Sequence, residues 1–395
     1  MLRLEMNIMR IILPFILAIT FSACSVTREE LPKQIELPIN YSLFSQDKVA
    51  LIDEQAIFTL TQEQQTKFLL HFNKKVAQGF KAHEALGEIL KDRLSNFTYY
   101  GETYNATTAM RLNKGNCMSL AILTTAYAKL IGIDFSYRTV HTLPVYTKKA
   151  DIVLSSSHVQ TIIYDDTFVA EDGFSYFSTP GIVIDYFPSE DNRKGVKYSY
   201  KTFLAMYYKN LAAGALVDKD LEKSFLYANT AYQYNNKSTA IINLLAVIHR
   251  RSGDLKTAEL IYKEGLKVGK PDIALLSNYI MLLKSQQRIA EATVLQNQMN
   301  KLDDPNPYHS LGEAFIARKK GDTKQAEIHF KKALNKAPYL NQAYMGLYKI
   351  YAEQQKMDEA QAMLIKALEW TYELDERKLY KHKLYSLQQS IVGTH

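Results

Sequence analysis

Residues 113–132 read N-K-G-N-C-M-S-L-A-I-L-T-T-A-Y-A-K-L-I-G, a tight turn followed by a largely apolar stretch. Gly115 allows a sharp backbone bend, and Asn116 has a side chain suited to capping a helix. Small and apolar residues then continue to Gly132, a typical residue just after a helix. The stretch predicts a helix whose first turn carries Cys117. The positive end of the helix dipole favours a thiolate there, so we expect the thiol of Cys117 to have a low pKa and to act as a nucleophile.

Helical patterns precede this stretch and strand patterns follow it. Residues 61–94 open with T-Q-E-Q, a helix capping box, and continue with apolar residues at helical spacing. Residues 135–140, 157–164 and 167–171 are rich in β-branched and aromatic side chains, which predicts antiparallel strands. Residues 56–200 are therefore predicted to form an α+β domain in which the helix of Cys117 packs against the sheet.

A cysteine nucleophile needs a general base, and the base needs a group that orients it. His158 opens the alternating strand H-V-Q-T-I-I-Y, which is predicted to turn at Asp165-Asp166 and return as T-F-V-A-E-D. A three-residue loop would place Asp172 opposite His158, whereas a two-residue turn would place Glu171 on the face of the histidine. Spacing alone leaves both acids as candidates.

The order of these residues resembles the transglutaminase-like superfamily, which has a papain-like fold. The quoted stretch T-T-A-M-R-L-N-K-G-N-C-M-S-L-A and the following L-I-G-I-D-F-S-Y-R also look like its core, and the match covers roughly residues 85–175. The resemblance implies that Cys117 is the nucleophile, His158 the general base and acid, and Asp172 the orienting carboxylate. It further implies acyl transfer through a thioester, with hydrolysis or transfer of an amide on a protein or peptide.

Other polar residues form no recognisable site. His141, in V-H-T-L-P, has no acid at hairpin spacing, and we interpret it as structural or surface-exposed. Asp165 and Asp166 are typical turn residues, and a metal role would need further ligands that the sequence does not place. Neither a phosphate-binding loop nor a zinc-ligand spacing occurs, so no cofactor and no metal are expected.

The second half of the chain repeats with a period of 34 residues. Small residues recur at this interval: Ser224, Ala258, Ala292, Ala326 and Ala360. Most of them follow short turns such as S-G-D-L-K-T-A, and this pattern resembles the tetratricopeptide repeat. The resemblance implies an all-α solenoid of five helix pairs over residues 205–374, with residues 375–395 as a capping helix and tail. The usual use of such a groove is to bind a peptide or a partner protein.

The amino terminus reads as a secretion signal. Residues 1–23 hold two arginines, an apolar run and small residues directly before Cys24, and the apolar run is too short to span a membrane. The sequence F-S-A-C resembles the lipobox of bacterial lipoproteins. This implies that Cys24 is lipidated and that the chain is anchored in the bacterial envelope, at the outer membrane facing the periplasm. Residues 24–55, polar and interrupted by prolines, are predicted to form a tether.

Composition fits a folded, multidomain protein. The 395 residues are 47% hydrophobic and 23% charged, and the net charge of +7 comes from lysines interleaved with acidic residues, which argues against nucleic-acid binding. We therefore expect an envelope-anchored cysteine acyl-transfer enzyme whose repeats bind a protein or peptide. The alternative is a non-catalytic scaffold of the envelope with a degenerate transglutaminase-like module.

Overall fold

The computed structural model describes much of the chain with several gaps. The described residues are 36–45, 51–99, 101–141, 145–149, 152–156, 159–169, 179–186, 193–269, 272–371 and 381. From Leu37 onward they belong to one compact unit. Four residues named above lie outside them: Cys24, His158, Glu171 and Asp172. The predicted signal peptide and most of the predicted capping helix also lie outside.

Within the described part of the chain, five α-helices precede the central sheet: α1 (Glu54–Phe58), α2 (Gln62–Ala77), α3 (Ala82–Leu94), α4 (Ala106–Leu112) and α5 (Cys117–Ile131). Helix α2 begins with the predicted capping box, because Thr61 and Gln64 each accept a hydrogen bond from the backbone amide of the other. Helix α5 begins at Cys117 and ends at Gly132, which has a φ of 73°. The positions of both helices follow the sequence prediction.

Eight strands are described: β1 (Thr98–Tyr99), β2 (Lys114–Gly115), β3 (Phe135–His141), β4 (Val145–Lys149), β5 (Ile152–Ser156), β6 (Val159–Tyr164), β7 (Gly181–Asp185) and β8 (Arg193–Tyr198). The central sheet is antiparallel, with the order β7-β6-β3-β8. Strands β4 and β5 form a separate hairpin, and β1 pairs with β2 in parallel. The α+β class of this part agrees with the prediction, although only β3 and β6 of the eight described strands were expected.

The strand that returns beside β6 differs from the predicted one. Residues 167–169 form no strand, while residues 170 and 171 lie outside the described part. The Asp165 carboxylate accepts hydrogen bonds from both the amide and the hydroxyl of Thr167, which closes a local turn. Strand β7 pairs with β6 instead, with Tyr164 opposite Gly181. Within the described residues, the partners of β6 are therefore β3 and β7, and not a strand over residues 167–169.

The helix of Cys117 packs against the sheet, as predicted. The buried hydroxyl of Tyr186 lies 2.8 Å from the Thr124 hydroxyl of α5 and 2.7 Å from the Thr161 hydroxyl of β6, so that it donates to one and accepts from the other. On β3, the hydroxyl of Tyr137 lies 2.7 Å from that of Thr125. These hydrogen bonds satisfy polar groups that would otherwise be costly to bury. They fix the rotation of α5 and hence the direction in which its first turn points.

Ten helices form five antiparallel pairs after the sheet: α6 (Tyr200–Val217), α7 (Leu221–Tyr234), α8 (Thr239–Arg251), α9 (Leu255–Gly265), α10 (Ile273–Ser285), α11 (Ile289–Met299), α12 (Pro307–Lys319), α13 (Thr323–Lys336), α14 (Asn341–Glu353) and α15 (Met357–Glu369). The second helix of each pair begins 34 residues after the previous one. The five small residues of the sequence repeat are fully buried where the helices cross. The predicted helical repeat is confirmed, and its first helix begins at Tyr200, ahead of the predicted 205.

Part of the stretch interpreted as a tether packs on the repeats. The ring of Phe44 stacks on Phe225 with centroids 3.9 Å apart, and the Asn40 side chain donates to Asp254 at 2.9 Å. The backbone amide of Asn40 also donates to Nε2 of the buried His249. This segment is therefore not a free linker. Among the helices that the structure describes, none combines the length and apolar character needed to cross a membrane.

Candidate active site around Cys117

The turn before Cys117 is tightly built. Gly115 has a φ of 147°, and a Cβ atom at this position would lie 2.6 Å from the Ser119 side chain, so glycine is required there. The Asn116 carboxamide accepts a hydrogen bond from the Ser119 amide at 3.0 Å and donates to the Thr103 hydroxyl at 2.7 Å. These contacts hold Cys117 as the first residue of α5.

The ionisation of Cys117 differs from the sequence expectation. Burial of the thiol raises its pKa, and the negative charge of Asp185 acts in the same direction. Hydrogen bonding with the backbone of Val159, Met118 and Cys117 itself lowers the pKa, but burial outweighs it. The low pKa expected from the helix terminus is therefore wrong for this environment. At neutral pH the thiol keeps its proton, so a nucleophilic role requires a base that removes it.

Strand β6 lies beside the thiol. Val159, the first residue of β6, is fully buried, and its backbone takes part in hydrogen bonding with Cys117. The sequence predicted that the residue directly before Val159, His158, is the base. His158 and Asp172 are outside the described residues, so their roles stay predictions.

Asp185 is an acid near Cys117 that the sequence analysis missed. Arg138, Gln160 and Asp185 lie directly opposite one another on β3, β6 and β7. The Arg138 guanidinium donates to the Gln160 carbonyl at 2.6 Å, and the Gln160 amide donates to the Asp185 carboxylate at 2.5 Å. This row fixes the carboxylate at the end of β7. The alternating stretch G-I-V-I-D was a usable signal for a strand that ends in an acid.

Two tyrosines interact electrostatically with Cys117. Burial is the main cause that raises the pKa of Tyr198, and the charge of Cys117 is the second. The Tyr198 hydroxyl therefore stays protonated. This hydroxyl is buried and has no hydrogen-bond partner among the described residues. Tyr186, whose pKa is also raised by burial, already hydrogen-bonds with the hydroxyls of Thr124 and Thr161. Tyr198 is therefore a neutral donor with unused capacity that interacts electrostatically with Cys117.

The first repeat helix, α6, contributes to the same region. Burial lowers the pKa of Lys209, and the charge of Cys117 opposes that change. Since this electrostatic interaction is mutual, the Lys209 ammonium favours the thiolate. The neighbouring Asn210 donates to the Thr103 hydroxyl at 3.3 Å, which in turn accepts from Asn116. The repeat region and the cysteine turn are thus parts of one polar network.

No protein-family model matches the sequence, and no curated protein matches it. Solved structures with tetratricopeptide repeats do match about half of the chain. PilF of Pseudomonas aeruginosa is 18% identical, and the match covers 48% of this chain and 87% of PilF with a TM-score of 0.34. A tetratricopeptide repeat protein from Parabacteroides merdae is 16% identical, with 47% and 73% covered and a TM-score of 0.29.

YrrB, described as a TPR protein with an unusual peptide-binding site, is 16% identical; 45% of this chain and 91% of YrrB match, with a TM-score of 0.26. These identities and TM-scores are low. The repeat is therefore defined by its own geometry: five helix pairs with a constant period and buried small residues at each crossing. The described part of the chain contains a tetratricopeptide-type repeat.

Proposed function

We propose that this chain is a cysteine acyl-transfer enzyme of transglutaminase-like type, anchored in the bacterial envelope, whose repeats bind a protein or peptide. The observation that carries the proposal is the set of groups around Cys117. A thiol in the first turn of a buried helix is accompanied by the Asp185 carboxylate, the unpartnered Tyr198 hydroxyl and the Lys209 ammonium. Such a combination of nucleophile, acid and neutral donor suits carbonyl chemistry.

The reaction requires His158 as the base. His158 takes the proton of Cys117, and the thiolate adds to an amide or ester carbonyl. The backbone amide of Cys117 and the Tyr198 hydroxyl are suited to stabilise the oxyanion. Collapse of this intermediate breaks the bond to the leaving group, which receives the proton from His158, and a thioester remains. Water or an amine then releases the acyl group and restores the thiol.

The orienting carboxylate has two candidates. Asp172 follows from the family resemblance. Asp185 is supported by its fixed position in the row with Arg138 and Gln160 and by its effect on the thiol. Asp172→Asn and Asp185→Asn therefore form a pair of variants whose acylation rates distinguish them. The larger loss identifies the residue that orients the base.

The enzymatic proposal is tested with p-nitrophenyl acetate on a Cys24→Ser chain, in which Cys117 is the only cysteine. We expect a burst of one p-nitrophenol per chain and an acetyl group on Cys117 detected by mass spectrometry. Cys117→Ala should abolish the burst, and His158→Ala should slow it. A matched control is His141→Ala, which should leave the burst unchanged. A wild-type chain without a burst, or a burst that persists in Cys117→Ala, would reject the proposal.

A non-catalytic envelope scaffold is the second candidate. The raised pKa of Cys117 favours it, because a protonated thiol is a poor nucleophile. In that case the repeats carry the function, and Cys117→Ser would complement a deletion strain fully. Full complementation together with an absent burst is the expected signature of the scaffold.

Anchoring through Cys24 is proposed from the lipobox resemblance. Metabolic labelling with a palmitate analogue should mark the chain, and the label should be lost in Cys24→Ala. Cys117→Ala serves as the matched control and should retain the label. An unlabelled wild type would reject the lipid anchor without affecting the proposal for Cys117.

A further inference from the structure

A second cluster of polar side chains lies away from Cys117. Helix α3 contributes His83, and the turn after β6 contributes Asp165 and Asp166. One nitrogen or oxygen atom of each residue can be chosen so that all three lie within 4.8 Å of one another. Imidazole nitrogen and carboxylate oxygen are the usual non-sulfur ligands of Zn²⁺ and related ions. We propose that His83, Asp165 and Asp166 bind a divalent ion of the Zn²⁺ class.

The state of His83 is the observation that points to a ligand. The residue is only 6% exposed, yet its Nδ1 atom has no hydrogen-bond partner among the residues that the structure describes. The nearest carboxylate oxygen, Oδ1 of Asp165, lies 3.5 Å away, beyond the range of a well-formed hydrogen bond. A buried polar atom without a partner is costly. A metal ion bound to Nδ1 and the nearby carboxylates would satisfy it.

The geometry requires little rearrangement. Ligand atoms of a tetrahedral Zn²⁺ ion lie about 3.4 Å apart, since each bond is about 2.1 Å long. The cluster, whose atoms lie within 4.8 Å of one another, therefore has to close by at most about 1.4 Å. Asp166 is exposed and can turn towards the ion. A cleft of about 520 Å³, lined by Asp134, Asp165 and Asp166 among others, leaves room for water to complete the coordination.

Lys81 is the competing cation at this cluster. Its ammonium group lies 2.9 Å from Oδ2 of Asp165, but the side chain is 51% exposed and can move into solvent. The Asp165 carboxylate accepts hydrogen bonds from Thr167 through Oδ1, and a carboxylate has about four acceptor sites in total. An ion can therefore replace Lys81 without breaking the turn. In the bound state it would connect α3 to the turn after β6.

The test is calorimetric titration of the metal-free full chain with ZnCl₂, carried out in a Cys24→Ser, Cys117→Ala background so that no thiol binds the ion. We expect one Zn²⁺ per chain. Asp166→Asn and His83→Ala should each weaken binding by about tenfold or more. Lys81→Gln should strengthen binding, because it removes the competing ammonium. His71→Ala, which changes an exposed histidine on α2, is the matched control and should have no effect.

Asp166→Asn alters an exposed side chain, so it tests the site without disturbing the core. Unchanged Zn²⁺ affinity in this variant and in Lys81→Gln would overturn the proposal. So would an absence of binding, or an equal loss in His71→Ala. Tighter binding of MgCl₂ or CaCl₂ than of ZnCl₂ would also overturn it, because these ions prefer oxygen ligands and would not need His83.

Discussion

At Cys117, two groups of opposite charge act on one thiol. Asp185, held by Gln160 on the neighbouring strand, opposes ionisation, whereas Lys209 from the first repeat helix supports it. Burial decides that the pKa of Cys117 shifts upward, and these two charges change the size of the shift. Because the alkylation of a cysteine proceeds through the thiolate, its rate as a function of pH measures the effect of each charge separately.

Lys209→Met keeps most of the apolar stem and removes the charge. We expect the pKa of Cys117 to rise, so that alkylation by iodoacetamide at pH 7 becomes slower and its pH profile moves to higher pH. Asp185→Asn removes the opposing charge and should move the profile to lower pH. Circular dichroism of both variants checks that the fold is retained. Shifts in the same direction for both would contradict the electrostatic account.

Tyr198→Phe tests the role of the unpartnered hydroxyl. The ring keeps its stacking on Tyr137, and the loss of a buried hydroxyl without a partner should leave the free energy of unfolding unchanged or raise it by about 1 kcal/mol. Acylation by p-nitrophenyl acetate, which forms an oxyanion, should fall by about a hundredfold. Alkylation by iodoacetamide forms no oxyanion and should be unaffected. Equal losses in both reactions would assign Tyr198 to the nucleophile rather than to the oxyanion.

Among the secondary-structure elements, the turns inside the helix pairs show how the repeat is specified. One residue in each turn has a positive φ, and these residues are also 34 apart: Lys219, Gly253, Gln287, Gly321 and Gln355. The next residue caps the second helix. In three repeats it is an aspartate whose carboxylate accepts a backbone amide, whereas Arg288 and Lys356 make no side-chain cap. The last turn therefore has an unfavourable residue both at the positive-φ position, Gln355, and at the capping position, Lys356.

Gln355→Gly with Lys356→Asp restores the G-D pair found in the second and fourth repeats. Glycine relieves the left-handed conformation, which costs other residues about 1–2 kcal/mol, and the aspartate cap adds about 1 kcal/mol. We expect a higher free energy of unfolding by about 2 kcal/mol in urea denaturation. The converse variant, Gly321→Gln with Asp322→Lys, should destabilise by a similar amount. A neutral result for both would mean that these turns do not limit stability.

At the scale of the whole molecule, the β4–β5 hairpin connects the sheet region to the repeats. The Tyr339 hydroxyl accepts a hydrogen bond from the backbone amide of Tyr146 at 2.7 Å. The Tyr308 hydroxyl accepts one from the backbone amide of Lys148 at 3.2 Å. Tyr146 is buried there, and burial raises its pKa to about 12, with Asp304 as the next cause. The free edge of β4 is thus covered by repeat tyrosines, which protects it from pairing with another chain.

Replacing Tyr308 and Tyr339 together by phenylalanine removes both acceptors and keeps both rings. Each lost hydrogen bond is worth about 1 kcal/mol, so amide exchange at Tyr146 and Lys148 should accelerate by about fivefold. Hydrogen–deuterium exchange measured by NMR provides this readout. The amides shared by β3 and β6 serve as an internal control and should keep their rates. Acceleration throughout the sheet would indicate global destabilisation instead of release of the hairpin.

Local patterns were read correctly where neighbouring residues decide the structure. The capping box at Thr61, the helix between Asn116 and Gly132, and the 34-residue period all depend on residues close in sequence. The partner of β6 was misread because the Asp165–Thr167 hydrogen bonds close a local turn, and the chain returns only at Gly181. Strand pairing over such a distance is decided by packing, which spacing alone does not reveal.

The sequence by itself determined that a cysteine opens a buried helix and that five helix pairs follow, because caps, glycines and apolar periodicity act over a few residues. Only the tertiary structure decided what surrounds that cysteine. Asp185, Tyr198 and Lys209 come from a strand pairing, a sheet edge and a repeat helix that are distant in sequence. The pKa of the thiol depends on this enclosure, so a helix terminus that favours a thiolate in isolation holds a protonated thiol in the folded chain.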